Sequence, residues 1–304
     1  MTGVTRLSRI RLIAAQPEQL AEFYESAFGF VPTTSAATDA ASLAELLGKP
    51  DATARLLTLR LGEQEIELVG FHAVGRSFPP VAGWSPLFQH FAIVVADMAA
   101  AYARLRAQPG WSAISIGGPQ VLPPASGMVT AFKFRDPEGH PLELLAFSPE
   151  STPEHWRRHR AGDALGIDHS AISVAATGQS IAFYDRFGLN RIGGWLNLGP
   201  AQENLDDIPH VRVEVTALAP QSHPIPHVEL LCYRGGYDRT GQTVEVNDIA
   251  ATELVFAVND KAALHAIAAQ NRDACMSGPL TCKYGPARAL FRDPDGHLLC
   301  LESV

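Results

Sequence analysis

The sequence lacks the long apolar run that a membrane-spanning helix needs. Its 304 residues are 46% hydrophobic, but no uninterrupted apolar stretch approaches the roughly 18 residues that cross a bilayer. The first twenty residues carry Arg6, Arg9 and Arg11 among apolar positions, so they form no signal-peptide core. We therefore expect a cytoplasmic protein with no membrane partner.

Basic clusters and paired cysteines are also scarce. The formal net charge is -8 and no long basic block is present, so the composition does not favour a nucleic-acid partner. The one basic cluster, at residues 157–160, is interpreted as a solvated linker face. No CxxC pair occurs, and all the cysteines fall in the second half, which is typical of reduced thiols; they are Cys232, Cys275, Cys282 and Cys300. Phosphate-binding loops and the GxSxG nucleophile motif are absent as well.

What the sequence does contain is an internal repeat. The segment Phe23–Phe30 returns as Phe183–Leu189, and the motif Asp-Pro-Glu-Gly-His at 136–140 returns as Asp-Pro-Asp-Gly-His at 293–297. The two copies of each motif lie roughly 160 residues apart, about half the chain, which indicates a duplicated domain.

Each half divides again into two similar modules. An alternating strand (Leu7–Ala14) precedes a helix with apolar residues at helical spacing (Glu18–Phe28), and two further strands follow (Leu56–Leu61 and Glu65–Phe71). The pattern restarts near residues 90, 169 and 253. The sequence thus predicts an α+β protein of four βαβββ modules, with residues 1–147 as one domain, 148–165 as linker and 166–304 as the second domain.

The repeated Phe-Tyr…Gly helices and the two Asp-Pro-(Glu/Asp)-Gly-His hairpins resemble the vicinal-oxygen-chelate superfamily. This superfamily includes glyoxalase I, extradiol dioxygenases and bleomycin-resistance proteins. The resemblance implies curved sheets that form cups, with modules 1 and 2 expected to build one cup and modules 3 and 4 the other.

The resemblance also implies where metal ligands should lie: one on the first and one on the last strand of each module. The first cup then offers Glu67, His90 and Glu143, with Arg9 in the fourth position; the second cup offers His169, Glu229 and Glu253, with Cys300 in the fourth. Strand alternation supports the glutamates independently, because a carboxylate among buried apolar residues is costly unless it is paired or binds a metal.

One of these positions does not suit a metal, and another, Cys300, could ligate a softer metal such as zinc or bind none. A guanidinium stays protonated and cannot coordinate a cation, so Arg9 is expected either to hold an anionic substrate group or to pair with Glu67 or Glu143. Cys300 is interpreted first as a small buried hydrophobic residue. We expect the first cup, with three retained positions, to be the working one, and the fourth module's lack of a histidine argues against extradiol dioxygenase chemistry.

The favoured function is a divalent-metal-dependent enzyme of isomerase or lyase type, using zinc, nickel, iron, manganese or magnesium. The metal would hold two neighbouring oxygens of a small substrate and stabilise an enolate, with Glu143 as general base. The alternative is a metal-free binding or sequestering protein. A homodimer is left open, and the segment Trp195–His227 is expected to form either a lid or a surface loop.

Overall fold

The computed structural model describes residues 3–33, 40–48, 54–158, 162–237, 244–281 and 286–304. Cys282 and residues 159 and 160 of the basic cluster lie outside these ranges. In the described part of the chain the predicted four-module α+β architecture is confirmed.

The first two modules each begin with a strand that leads into a helix. Module 1 comprises β1 (Val4–Ile13), α1 (Pro17–Phe28), β2 (Val31–Thr33), α2 (Ala40–Leu46), β3 (Ala54–Leu61) and β4 (Gln64–Phe71). Module 2 comprises β5 (Gln89–Val95), α3 (Met98–Arg106), β6 (Ser112–Ala113), β7 (Gln120–Val121), a 3-10 turn (Pro124–Ser126), β8 (Thr130–Arg135) and β9 (Pro141–Ala146).

A short helix, α4 (Glu154–Arg158), separates these from the last two modules. Module 3 comprises β10 (Ala164–Ser173), α5 (Thr177–Asp185), β11 (Asn190–Leu198), α6 (Pro200–Asp206), β12 (Arg212–Ala219) and β13 (His227–Tyr233). Module 4 comprises β14 (Glu253–Val258), α7 (Lys261–Gln270), β15 (Cys275–Thr281), β16 (Ala287–Arg292) and β17 (Leu298–Ser303).

The strands form two sheets, and each sheet combines modules from both halves of the chain. The outer sheet, which joins modules 1 and 4, has eight strands in the order β15-β16-β17-β14-β1-β4-β3-β2. The inner sheet, which joins modules 2 and 3, has nine strands, with the path β11-β12-β13-β10-β5-β9-β8-β6 and β7 beside β8. The expected pairing of module 1 with 2 and of module 3 with 4 in the sheets is therefore wrong.

The modules join through their first strands. β1 runs antiparallel to β14 in the outer sheet, and β10 runs antiparallel to β5 in the inner sheet. All four first strands are rich in apolar residues, and none carries a sequence signal that specifies its partner. The three connections between modules (residues 72–88, 147–163 and 234–252) are also similar in length, and connection length therefore does not decide between the pairings.

The two repeated hairpin turns connect modules that lie in different sheets. The Asp136 carboxylate accepts a hydrogen bond from the Tyr24 hydroxyl of module 1 at 2.9 Å, and the Asp293 carboxylate accepts one from the Tyr184 hydroxyl of module 3 at 3.1 Å. Each repeated Phe-Tyr helix is thus hydrogen-bonded to a repeated Asp-Pro turn through buried side chains, and these two hydrogen bonds stabilise the contact between the sheets.

One large hydrophobic core lies between the sheets and helices. It includes side chains of α1, α3, α5 and α7 and the apolar faces of strands from both sheets. His140 and His297 are only 1% and 6% exposed, because their hairpins pack into this assembly. None of the helices in the described ranges is long and apolar enough to cross a membrane.

Candidate metal centre and ligand cavity

Two histidines and a glutamate converge at the centre of the inner sheet. His90 lies on β5, Glu143 on β9 and His169 on β10, and one ligand atom from each lies within 4.8 Å of the others. His90 Nε2 is 2.9 Å from a Glu143 carboxylate oxygen. All three side chains are buried.

The pairing of the strands explains this convergence. His90 faces Ala171 across β5 and β10, while Glu143 faces Ala92 across β9 and β5. His90 and Ala92 are two residues apart, as are His169 and Ala171, so alternation places these side chains on one face of the sheet. Alanine at positions 92 and 171 leaves open space between the polar groups.

The donor set fits a divalent cation. Both ring nitrogens of His90 and the Nε2 atom of His169 are buried and lack a well-aligned hydrogen-bond partner among the described residues. A buried polar atom without such a partner is costly, and a metal ion would satisfy it. Imidazole nitrogens combined with carboxylates are ligands for zinc, nickel, iron or manganese.

Asp168 holds the His169 ring in place. The His169 Nδ1 atom lies 3.1 Å from the Asp168 carboxylate, which leaves Nε2 pointing towards Glu229 at 3.6 Å. Trp156 of α4 donates its indole N–H to Asp168 at 2.8 Å. A carboxylate on the outer nitrogen of a metal-binding histidine fixes both its tautomer and its orientation.

Two further polar side chains, Glu229 and His227, lie beside this cluster on β13. Glu229 faces Ala171, and His227 faces His169, across the parallel strands β10 and β13. His227 Nε2 is 3.5 Å from a Glu229 carboxylate oxygen. Asp168, His169 and His227 also have ligand atoms within 4.8 Å of one another. Glu229 therefore supplies a second carboxylate beside the two histidines.

A buried ammonium lies on the other side of Glu143. Lys133 on β8 faces Glu143 on β9, and its Nζ donates to Asp206 at 2.6 Å. Asp206 also accepts hydrogen bonds from Gln202 at 2.7 Å and from the Tyr233 hydroxyl at 3.2 Å. This network keeps the charge of Lys133 compensated inside the cavity.

The electrostatic environment separates the protonation states of the two histidines. Burial lowers the pKa of His90, so its ring is neutral. Burial alone would also lower the pKa of His169, but Glu229 and Asp168 outweigh it and raise that pKa to about 9. Burial would raise the pKa of Glu143, yet His90, Lys133 and His169 bring it down to about 2.

These groups form the floor of a cavity of about 480 Å³. Its walls include the side chains of Trp195, Asn197, Gln202 and Ile225, so the segment Trp195–His227 contains ordered strands and α6 and contributes directly to the cavity. The Ser126 hydroxyl donates to Asn197 at 2.5 Å, which joins a turn of module 2 to a strand of module 3.

The corresponding centre of the outer sheet contains a network of ion pairs. Arg11 is fully buried. It contacts Glu67 at 2.8 Å through two of its nitrogens, and Glu253 at 2.6 Å through a third. Arg9 pairs with Glu67 at 2.9 Å and with Glu302. Burial alone would lower the pKa of Arg11, but the two glutamates raise it further above its ordinary value.

Strand register relates the two centres residue by residue. Arg11 faces both Glu67 and Glu253, just as Ala171 faces both Glu229 and His90. Cys300 faces Val255, as Glu143 faces Ala92. The eight positions named from the sequence are therefore equivalent in pairs: Arg9 with His169, Glu67 with Glu229, Glu253 with His90, and Cys300 with Glu143.

The structure groups these residues differently from the sequence analysis. His90 and Glu143 lie with His169 and Glu229, whereas Glu67 lies with Glu253 and Arg9 in the other sheet. The two expected ligand sets each mixed residues of both sheets, because the module pairing was wrong. Arg9 does pair with Glu67, as one of its two interpretations predicted, and it lies outside the inner-sheet cavity.

Several residues of the floor were missed. His227 lies two residues before the predicted Glu229 on one strand, and Asp168 directly precedes the predicted His169; both patterns were visible in the sequence. The partnership of Lys133 with Asp206 was not, since these residues come from different modules and are 73 positions apart.

The described residues thus form a tandem α+β fold of four βαβββ modules, with a histidine–glutamate centre in the inner sheet. Residues 6–144 match the model of the Glyoxalase/Bleomycin resistance protein/Dioxygenase superfamily.

Solved structures share the fold across nearly the whole chain. Glyoxalase I from Zea mays is 16% identical, with a TM-score of 0.64, over 98% of this chain and 92% of that chain. A putative dioxygenase from Bacillus subtilis is 13% identical, with a TM-score of 0.57, over 99% of this chain and 86% of that chain. Comparison with curated proteins gave no match.

Proposed function

We propose that the protein is a divalent-metal-dependent enzyme whose centre lies in the inner sheet, with His90, Glu143, His169 and Glu229 as the ligands. The observation that carries this proposal is the convergence of His90, Glu143 and His169 on one point, with buried imidazole nitrogens that have no well-aligned protein partner. Two neutral imidazoles and two carboxylates would balance a charge of +2.

The bound cation would supply Lewis-acid stabilisation of a substrate that presents two neighbouring oxygens and passes through an enolate. Asp168 orients the His169 ring, and Trp156 orients Asp168. In the isomerase case the Glu143 carboxylate oxygen accepts the proton from the carbon beside the substrate carbonyl and returns it to a neighbouring atom. In the lyase case the enolate instead expels a group from the adjacent carbon, and Glu143 passes the proton to that leaving group. The apolar walls limit the access of water.

Metal content measured by elemental mass spectrometry tests this proposal. We expect near-stoichiometric metal in the wild type and its loss in His90→Ala, His169→Ala and Glu143→Ala. Cys300→Ala is a matched control, because Cys300 occupies the position equivalent to Glu143 in the outer sheet; this variant should retain the metal. Absence of metal from the wild type after incubation with divalent cations would overturn the proposal.

A metal-free binding protein is the second candidate, and the state of His169 favours it. The ring lies between Asp168 and Glu229, which raise its pKa to about 9, so without a metal it is an imidazolium ion. A metal would have to displace that proton. This candidate predicts ligand binding in the cavity with no metal and no turnover.

The sequence argued against an oxygenase because module 4, the expected partner of module 3, lacks a histidine. In the structure module 3 shares its sheet with module 2 instead, so that argument no longer applies. Two histidines and a carboxylate lie together in the inner sheet, and that set is typical of iron(II) oxygenases. We retain the isomerase or lyase proposal because Glu229 adds a second carboxylate to the set. Oxygen uptake by the iron-loaded protein would favour the oxygenase instead.

A further inference from the structure

The inner-sheet cavity has two chemically different ends. Its floor contains the histidines, the glutamates and Lys133, whereas its walls are largely apolar. The walls include Leu122, Val129, Leu145, Phe147, Trp195 and Val215. A wall of this kind is typical of pockets that enclose an apolar ligand and orient it through a few polar groups.

The residues that line the cavity offer no unpaired lysine or arginine to an anionic tail of the ligand. Among the described residues that line the cavity, Lys133 is the only lysine or arginine, and its ammonium is paired with Asp206 at 2.6 Å. The floor carboxylates of Glu143, Glu229 and Asp168 are negatively charged. A carboxylate or phosphate at the far end would therefore be buried without a counter-charge, which is costly.

The cavity volume limits the size of the ligand. The volume of about 480 Å³ lies in the lower part of the range for small-molecule pockets, and a small chelating group joined to a ring fits within it. Trp195 and Phe147 provide aromatic surface in the walls, and aromatic side chains pack favourably against flat apolar groups.

We propose, on the basis of the function proposed above, that the substrate joins a two-oxygen head to an uncharged apolar tail of about the size of one aromatic ring. The head lies on the floor between His90, His169 and Lys133, and the tail lies against Trp195 and the apolar walls. Substrates with an anionic carrier group at the tail end are excluded by the same geometry.

Three hydroxamates with the same two-oxygen head and different tails test this inference. The probes are acetohydroxamate, benzohydroxamate and 4-carboxybenzohydroxamate, titrated by calorimetry into the cobalt(II)-loaded protein while the visible spectrum of the metal is recorded. We expect all three to shift the spectrum and benzohydroxamate to bind about 30-fold more tightly than acetohydroxamate, from the apolar area that the ring buries. The carboxylate should lower that affinity by about tenfold or more.

Two charge variants sharpen the test. Ile192 lies at the cavity rim and is 52% exposed, so Ile192→Lys should fold and supply the missing cation. We expect it to strengthen binding of 4-carboxybenzohydroxamate about fivefold, the effect of one partly exposed ion pair. Leu196→Lys is the matched control, because Leu196 is exposed on the same strand and does not line the cavity. Trp195→Ala should reduce the extra affinity that the phenyl ring gives to benzohydroxamate, and the affinity for acetohydroxamate should not change.

The outcomes separate the two proposals. A protein that takes up no cobalt overturns both. If acetohydroxamate shifts the spectrum but benzohydroxamate binds no more tightly, the metal centre stands and the apolar tail is wrong. If wild type binds the carboxylate probe as tightly as benzohydroxamate, or if both lysine variants respond equally, the uncharged tail and its position are wrong.

Discussion

The two sheets of this protein share a topology and differ in what occupies the centre of each. In the inner sheet, Ala171 lies between His90 and Glu229 and leaves space in front of them. In the outer sheet, Arg11 takes the same position between Glu253 and Glu67 and fills that space with a guanidinium. The buried cation that the inner sheet would obtain from a metal is thus covalently attached to the chain in the outer one.

The packing around the two centres also differs. An apolar cluster packs beside the Arg11 network, and it includes Leu43 and Leu46 of α2, Ile249 of the connection before β14, and Cys300. The inner sheet has a cavity of about 480 Å³ over the equivalent region. One centre is therefore built for stability, with compensated charges and packed side chains, and the other has accessible polar groups at the base of a pocket.

The largest expected effect concerns the buried guanidinium. Arg11→Ala leaves Glu67 and Glu253 buried beside a missing cation, and we expect the free energy of unfolding to fall by about 3–5 kcal/mol, measured by urea denaturation. The double variant Arg11→Met with Glu253→Gln removes charge from both partners and should recover most of this loss. A loss below about 1 kcal/mol in Arg11→Ala would show that the outer centre does not depend on its cation.

The next effect concerns the support of His169 in the inner sheet. Asp168→Asn weakens the acceptor for the His169 ring, and we expect metal affinity to fall by about 10- to 100-fold, measured by competition with a chromogenic chelator. Ser8 holds the equivalent position on β1, because Arg9 is equivalent to His169. Ser8→Ala should therefore leave the affinity unchanged, and an equal loss in both variants would contradict a role for the Asp168 contact.

A smaller effect compares the two hydroxyl–carboxylate pairs between modules. Tyr24→Phe removes the hydroxyl that donates to Asp136, and Tyr184→Phe removes the one that donates to Asp293. We expect each variant to lower the free energy of unfolding by about 1–2 kcal/mol, with the double variant close to the sum. Thermal and urea unfolding would measure this, and an unchanged stability would mean that packing alone holds these contacts.

The smallest effect is a pH dependence of stability that arises at the hairpin turn of module 2. His140 lies with Nδ1 at 2.8 Å from Asp136 and Nε2 at 3.1 Å from the Ile13 carbonyl. Burial alone would lower the pKa of His140, but Asp136 outweighs it and raises that pKa above its ordinary value. The protonated ring therefore stabilises the fold below the unfolded pKa of about 6.5, and this contribution disappears as the pH rises through the folded pKa.

His140→Gln should accordingly cost most stability in mildly acidic solution and less as the pH rises. Urea unfolding of both proteins between about pH 6 and about pH 9 measures this difference. A stability difference that stays constant or grows with pH would contradict the assignment of a charged ring to His140.

Much of the fold was predictable because it depends on local pattern. Alternation placed the strands that carry Glu67, Glu143 and Glu229, and the Asp-Pro-x-Gly-His turns marked the last hairpins of modules 2 and 4. The eight candidate positions on the first and last strands came from the resemblance to the vicinal-oxygen-chelate superfamily, and strand alternation supported the glutamates Glu67, Glu143 and Glu229 independently. Asp136 and Asp293 were recognised as turn residues, but their hydrogen bonds to Tyr24 and Tyr184 join distant parts of the chain and left no local signal.

The sequence by itself determined the module and its fourfold repetition, because strand and helix periodicity are local and recur in each copy. The candidate positions in each copy came from the family resemblance, and the period of two along a strand showed that the glutamates share a face with buried apolar residues. Only the tertiary structure decided which modules share a sheet. Pairing between first strands depends on backbone hydrogen bonds that every module offers equally, and the choice of partner brought His90 to His169 and left Glu67 with Arg11. The composition of each centre follows from that long-range choice.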